Sequence, residues 1–72
     1  MTQYRIRVYK SPGRQLVRVR AFRARDDLEA RRKGLTFLAF VHYRYRLSAF
    51  ITSWAIDVLD TDTISWRTVA MS

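Results

Sequence analysis

The chain has no cysteine, one histidine, one proline and two glycines in 72 residues. Without cysteine there is no disulfide framework and no thiol nucleophile. A single histidine and no cysteine leave no ligand set for a structural zinc. No Gly-rich phosphate loop occurs, and no nucleophile–base motif accompanies His42. These absences argue against an enzyme, a metal protein and a cofactor carrier. The uncharged stretches 35–43 and 47–56 fall well short of the roughly 20 residues that span a bilayer. Met1 is followed by polar and charged residues, so no secretory h-region is expected. The expectation is a soluble, cytoplasmic, single-domain protein of residues 1–72 with no membrane association.

Acidic residues are also scarce. Six Asp and Glu face 14 Lys and Arg, for a net charge of +8. The imbalance is local: thirteen basic and three acidic residues lie in 1–46, against one and three in 47–72. A basic first half points to a polyanionic partner. Twelve of the fourteen cations are arginine, whose planar fork suits phosphates and base edges. Codon bias in a GC-rich genome accounts for that ratio equally well.

Hydrophobic residues make up 49% of the chain and aromatic residues 14%, which is enough for a core and argues against disorder. Small chains bury only about 60% of their unfolded surface, so stability depends on how that core is completed.

The stretch YRIRVYKSPGRQLVRVRAF, residues 4–22, alternates on both sides of a Ser-Pro-Gly turn. Strict alternation is the mark of half-buried strands, and the short Pro-Gly connection joins them as a hairpin. Placing Ile6, Val8, Val17 and Val19 inward puts Arg5, Arg7, Tyr9, Arg18 and Arg20 together on the outer face. Lys10 and Arg14 then flank the turn. Like charges on paired strands repel, and a polyanion would relieve that cost. The competing reading is a solvated face that guards the sheet edge.

Beyond Arg25 the period changes. Asp26 followed by Glu29 is a capping-box spacing, and Asp27 and Glu29 put negative charge in the first turn of a helix. A helix is expected from about Asp27 to Arg46, with Leu28, Leu35, Leu38, His42 and Tyr45 on one face. The aromatic and β-branched stretch 36–43 leaves a strand as a rival. Gly34 is open to three readings: a close approach, a kink or a tolerated glycine. Arg31 and Arg32, in a cluster with Arg23, Arg25 and Lys33, could extend a phosphate-binding surface. Pairs Asp27–Arg31 and Glu29–Lys33 at i,i+4 would instead make them ordinary helix surface.

Trp54, Ile56 and Val58 alternate in a third strand. Asp60–Thr63 supplies a turn, and Ile64, Trp66, Thr68 and Ala70 alternate in a fourth. The two tryptophans are expected to pair across neighbouring strands. The aspartates 57, 60 and 62 lack the glycine and closing glutamate of a calcium loop. The fold class is therefore α+β, in the order β-β-α-β-β: a four-stranded antiparallel sheet with one long helix on one face. The expected core is Ile6, Val8, Val17, Val19, Leu28, Leu35, Leu38, Trp54, Ile56, Val58 and Ile64. Aromatic surface beyond what one sheet and one helix can cover suggests a homodimer.

The functional expectation is a basic, non-catalytic nucleic-acid-binding protein. Its phosphate contacts would come from Arg5, Arg7, Tyr9, Lys10, Arg14, Arg18, Arg20, Arg31 and Arg32. The alternative is a phage- or plasmid-type accessory protein that uses the same face on an acidic host protein.

Overall fold

The computed structural model describes residues 1–10, 14–45 and 51–72, and for residues 42, 44, 45, 51 and 52 it describes the backbone alone. The expected Pro12–Gly13 turn, the His42 side chain and Phe50 lie outside the described residues. The elements are β1 (Thr2–Lys10), β2 (Gln15–Ala24), α1 (Asp27–Tyr45), β3 (Ile51–Asp60) and β4 (Ser65–Met71). All four strands form one antiparallel sheet in the order β2-β1-β3-β4. The β-β-α-β-β arrangement read from the sequence is the arrangement found. The stretch 36–43 is helix, not strand.

α1 starts as its sequence dictates. The Asp26 carboxylate accepts the Glu29 backbone N–H at 2.8 Å, satisfying one orphan donor of the first turn. Glu29 completes the cap one residue further out than the usual box. Its carboxylate accepts the backbone N–H of Arg25, at 3.1 Å, and the Arg25 guanidinium, at 2.7 Å.

The buried stripe of α1 differs from the leucine face expected. It is made by Ala30, Gly34 and Val41, with Phe37 and Leu38 half-buried beside them. Leu28 is 63% exposed, and Leu35 is half-buried. The physical reason is close approach. A Cβ on Gly34 would lie 2.7 Å from Ile56 Cδ1 and 3.3 Å from Ile6 Cδ1. Small residues let the helix axis sit low on the sheet, and the large leucines are displaced to its flanks.

Under that stripe lie Tyr4, Ile6 and Val8 of β1, Ala24 of β2, and Ile56 and Val58 of β3. Phe22, Trp54, Val69 and Ala70 close the periphery. Tyr4 donates its hydroxyl to the Asp27 carboxylate at 2.8 Å, tying β1 to the first turn of the helix. Burial first, and then this carboxylate, push the Tyr4 phenol up to about 12.

Three expected core residues of the strands are elsewhere. Val17 is half-buried, Val19 is 45% exposed, and Ile64 is 83% exposed in the β3–β4 turn with φ of 53°. Asp60 builds that turn by accepting the Asp62 backbone N–H at 2.9 Å. The turn takes Ile64 into the left-handed region and out of the strand.

The displacement of Val17 and Val19 has a single cause. Near the turn Tyr9 pairs with Leu16 and Lys10 with Gln15. Continued inward, that register would set Val8 opposite Val17 and Ile6 opposite Val19. A bulge intervenes between Val8 and Tyr9, so that Val8 pairs with Arg18, Ile6 with Arg20 and Tyr4 with Phe22. One extra residue in β2 reverses the facing of every residue beyond it. Arg18, Arg20 and Phe22 therefore lie on the helix side of the sheet. Val19 and Ala21 lie on the open side, opposite Arg7 and Arg5.

Candidate polyanion-binding surface

The bulge divides the nine candidate residues between two faces. Arg5, Arg7 and Tyr9 are on the open face of the sheet. Lys10 and Arg14 stand at the turn end of the hairpin, and Arg14 adopts φ of 50°. Arg18 and Arg20 share the helix side, and Arg31 and Arg32 are exposed on α1. The single arginine face expected of the hairpin does not form.

On the open face the two arginines meet an acid from the other end of the chain. Asp57 of β3 lies directly opposite Arg5 and Thr68. Its side chain is 1% exposed. Arg7 grips the carboxylate with two bonds, Nε to Oδ2 at 2.7 Å and Nη2 to Oδ1 at 2.9 Å. Arg5 Nε donates to Oδ2 at 2.7 Å and the Thr68 hydroxyl to Oδ1 at 2.8 Å. The four bonds fill the acceptor sites of an ionised carboxylate. Burial alone would push the Asp57 carboxyl up. The donors Arg7, Arg5 and Thr68 outweigh it and hold it below the usual carboxylate range. The same bond to Asp57 raises Arg7 further.

Aromatic rings complete this cluster. The Arg5 guanidinium sits 4.4 Å from the Trp66 ring centroid, and Arg7 donates to the Tyr9 hydroxyl at 2.7 Å. Arg14 lies over the Tyr9 ring at 5.6 Å. Trp54, opposite Val8, is on the helix side. The tryptophans occupy opposite faces and do not pair. Repulsion between the β1 arginines is thus relieved from within the chain. Sequence reasoning missed this because Asp57 lies some 50 positions away and reads locally as an outward strand residue.

The helix side has a different character. A groove of about 560 Å³ runs between β2 and α1, lined by Arg20, Arg32 and Lys33 together with Phe22, Phe37 and Phe40. No carboxylate lines it. Arg20 lies 5.1 Å over the Phe37 ring, a cation–π contact. Phe22 stacks on Tyr4 at 6.0 Å and 17°. Phe40 is 54% exposed. Lys33 Nζ donates to the Arg23 carbonyl at 2.8 Å and lies 3.4 Å from Glu29. Glu29–Lys33 therefore forms as an i,i+4 pair. Asp27 engages Tyr4, and no Asp27–Arg31 pair forms.

The groove unites Arg20 and Arg32 of the expected set and adds Lys33 and three phenylalanines. A sequence signal for them exists in the i,i+3 spacing of Phe37 and Phe40 one turn beyond Arg32–Lys33. It becomes specific only once the bulge brings Arg20 and Phe22 to the same side.

Among the described residues no group of His, Cys, Asp and Glu could hold a metal ion, and no helix is long and apolar enough to cross a membrane. No family model, curated protein or solved structure matches the chain. Its class is defined by its own architecture: an α+β domain with a four-stranded antiparallel sheet and one helix.

Proposed function

We propose that this is a small, non-catalytic nucleic-acid-binding protein that contacts phosphates through arginines of β2 and the first half of α1, acting in the cytoplasm. The observation that carries this reading is the allocation of carboxylates. The salt bridges of the described residues engage Arg5, Arg7, Arg25 and Lys33. Arg20, Arg31 and Arg32 have no ion pair among the described residues. Arginines left without a carboxylate partner on β2 and α1 are what phosphate neutralisation and counterion release exploit. The arginines of β1 stand outside the proposed contact set, because Asp57 already pairs with them.

The test is fluorescence anisotropy with labelled single- and double-stranded DNA and RNA across a salt series, comparing wild type with the triple variant Arg20→Ser, Arg31→Ser, Arg32→Ser. Binding is expected at about 150 mM salt. The triple variant should flatten the log–log salt slope by about 2, and Arg67→Ser, on β4, should leave it unchanged. An unchanged slope in the triple variant, or no binding at that salt, would overturn the proposal. In the second case an acidic protein becomes the partner to seek.

A further inference from the structure

We infer that the groove between β2 and α1 receives one unstacked nucleotide of a single strand, its phosphate held by Arg20 and Arg32 and its base laid against Phe40. This rests on the nucleic-acid reading and narrows it to one substrate class and one site.

The groove combines two chemistries that a nucleotide uses together. Arg20 and Arg32 line it with no ion pair among the described residues, Lys33 beside them is held by Glu29, and three phenyl rings share the same walls. Two of the rings are already committed. Arg20 covers Phe37, and Tyr4 stacks on Phe22. Phe40 makes no ring contact among the described residues and is more than half exposed, so its face is open to a base. The volume falls within the range of small-molecule sites. A base in a duplex has both faces stacked and cannot enter. A base in a single strand can, and stacking on an aromatic side chain is the usual way proteins hold it. The contact with Phe37 also holds the Arg20 guanidinium against the groove wall before the phosphate arrives.

The experiment compares oligothymidine dT12 with a 12-base-pair duplex, using wild type, Phe40→Ala, Phe40→Tyr and the double variant Arg20→Ser, Arg32→Ser. Phe40→Ala should lose about tenfold in affinity for dT12 with an unchanged salt slope and unchanged duplex binding. Phe40→Tyr should bind dT12 as wild type does. The double arginine variant should lose affinity and flatten the slope. Because Phe40 is largely exposed, Phe40→Ala should retain the wild-type circular dichroism. Should it fail to fold, upfield shifts of the dT12 base protons on titration with wild-type protein give the same answer, and their absence the opposite one. Binding of dT12 that is salt-dependent yet indifferent to Phe40→Ala sinks this inference and leaves the nucleic-acid proposal standing. Absence of binding to either probe at about 150 mM salt removes both. A glutamate-rich peptide that binds the groove more tightly than dT12 also overturns it, in favour of an acidic protein.

Discussion

At the scale of single residues, Asp57 has the largest consequence. It is buried, ionised and saturated with donors, and it draws two arginines of β1 onto the sheet. Removing one member of such a cluster leaves the others uncompensated, which typically costs about 3 kcal/mol. Asp57→Asn keeps the shape and loses the charge. It should lower the thermal midpoint by roughly 10–20 °C for a domain of this size. The acid dependence should change with it. The folded carboxyl titrates below its unfolded value of about 3.9. Between the two values the unfolded chain binds more protons, so stability falls as pH drops through the folded pKa and is fully present above the unfolded one. In Asp57→Asn that part of the acid limb below about pH 4 should flatten. Thermal melts from pH 2 to 7 on both proteins check this. An unchanged midpoint and an unchanged acid limb would mean that the cluster contributes nothing to folding. Glu29, whose carboxyl is lowered by the hydrogen bonds from Arg25, retains its own dependence in either protein.

At the scale of elements, Gly34 sets how closely the helix approaches the sheet. Gly34→Ala gains about 1 kcal/mol of helix propensity but drives a methyl to 2.7 Å from Ile56 Cδ1. Overpacking of a filled core costs about 1–3 kcal/mol, so a net loss of about 1 kcal/mol is expected. Ile56→Val removes the atom in collision. It should therefore cost less in the Gly34→Ala background than in wild type, and denaturant melts of the double-mutant cycle measure that coupling. Additive costs would show that the contact relaxes elsewhere. The same element explains what the sequence made legible. Strand and helix identities follow from period and capping, so the order β-β-α-β-β was readable from Tyr4–Tyr9, Asp26–Glu29 and Trp54–Val58. The facing of β2 was not. Its two alternating sets, Val17-Val19-Ala21 and Leu16-Arg18-Arg20-Phe22, are told apart only by register, and one bulge decides between them. Hydrophobicity favours the valines inward. The fold instead turns Phe22 inward onto Tyr4, carries Arg20 onto Phe37, leaves Val17 unpaired at the bulge and sets Val19 opposite Arg7. The helix face was misjudged for a related reason: leucines mark a face by size, whereas this contact is made by Ala30 and by Gly34, whose close approach is one of three readings the sequence leaves open.

At the scale of the whole molecule, two associations compete for one excess of charge, and salt acts on them in opposite directions. The open face of edge strand β2 exposes Leu16, Val19 and Ala21, and the opposite edge exposes Met71. A homodimer, expected from the surplus of apolar surface, would bury such flanks. Each copy carries a net charge of +8, so approach of two copies is opposed at low ionic strength and eased as the Debye length falls from about 30 Å at 0.01 M to about 3 Å at 1 M. Nucleic-acid binding weakens over the same range through counterion release. Sedimentation velocity at high micromolar concentration should therefore show more dimer in high salt than in low. Val19→Ser should shift the population toward monomer at both. A dimer that dissolves as salt rises would instead join opposite charges, the Asp60–Asp62 turn of one copy against the basic half of another. A monomer at every salt concentration would rule out self-association, leaving the apolar flank of β2 an exposed consequence of the bulge that turned Arg20 toward the helix.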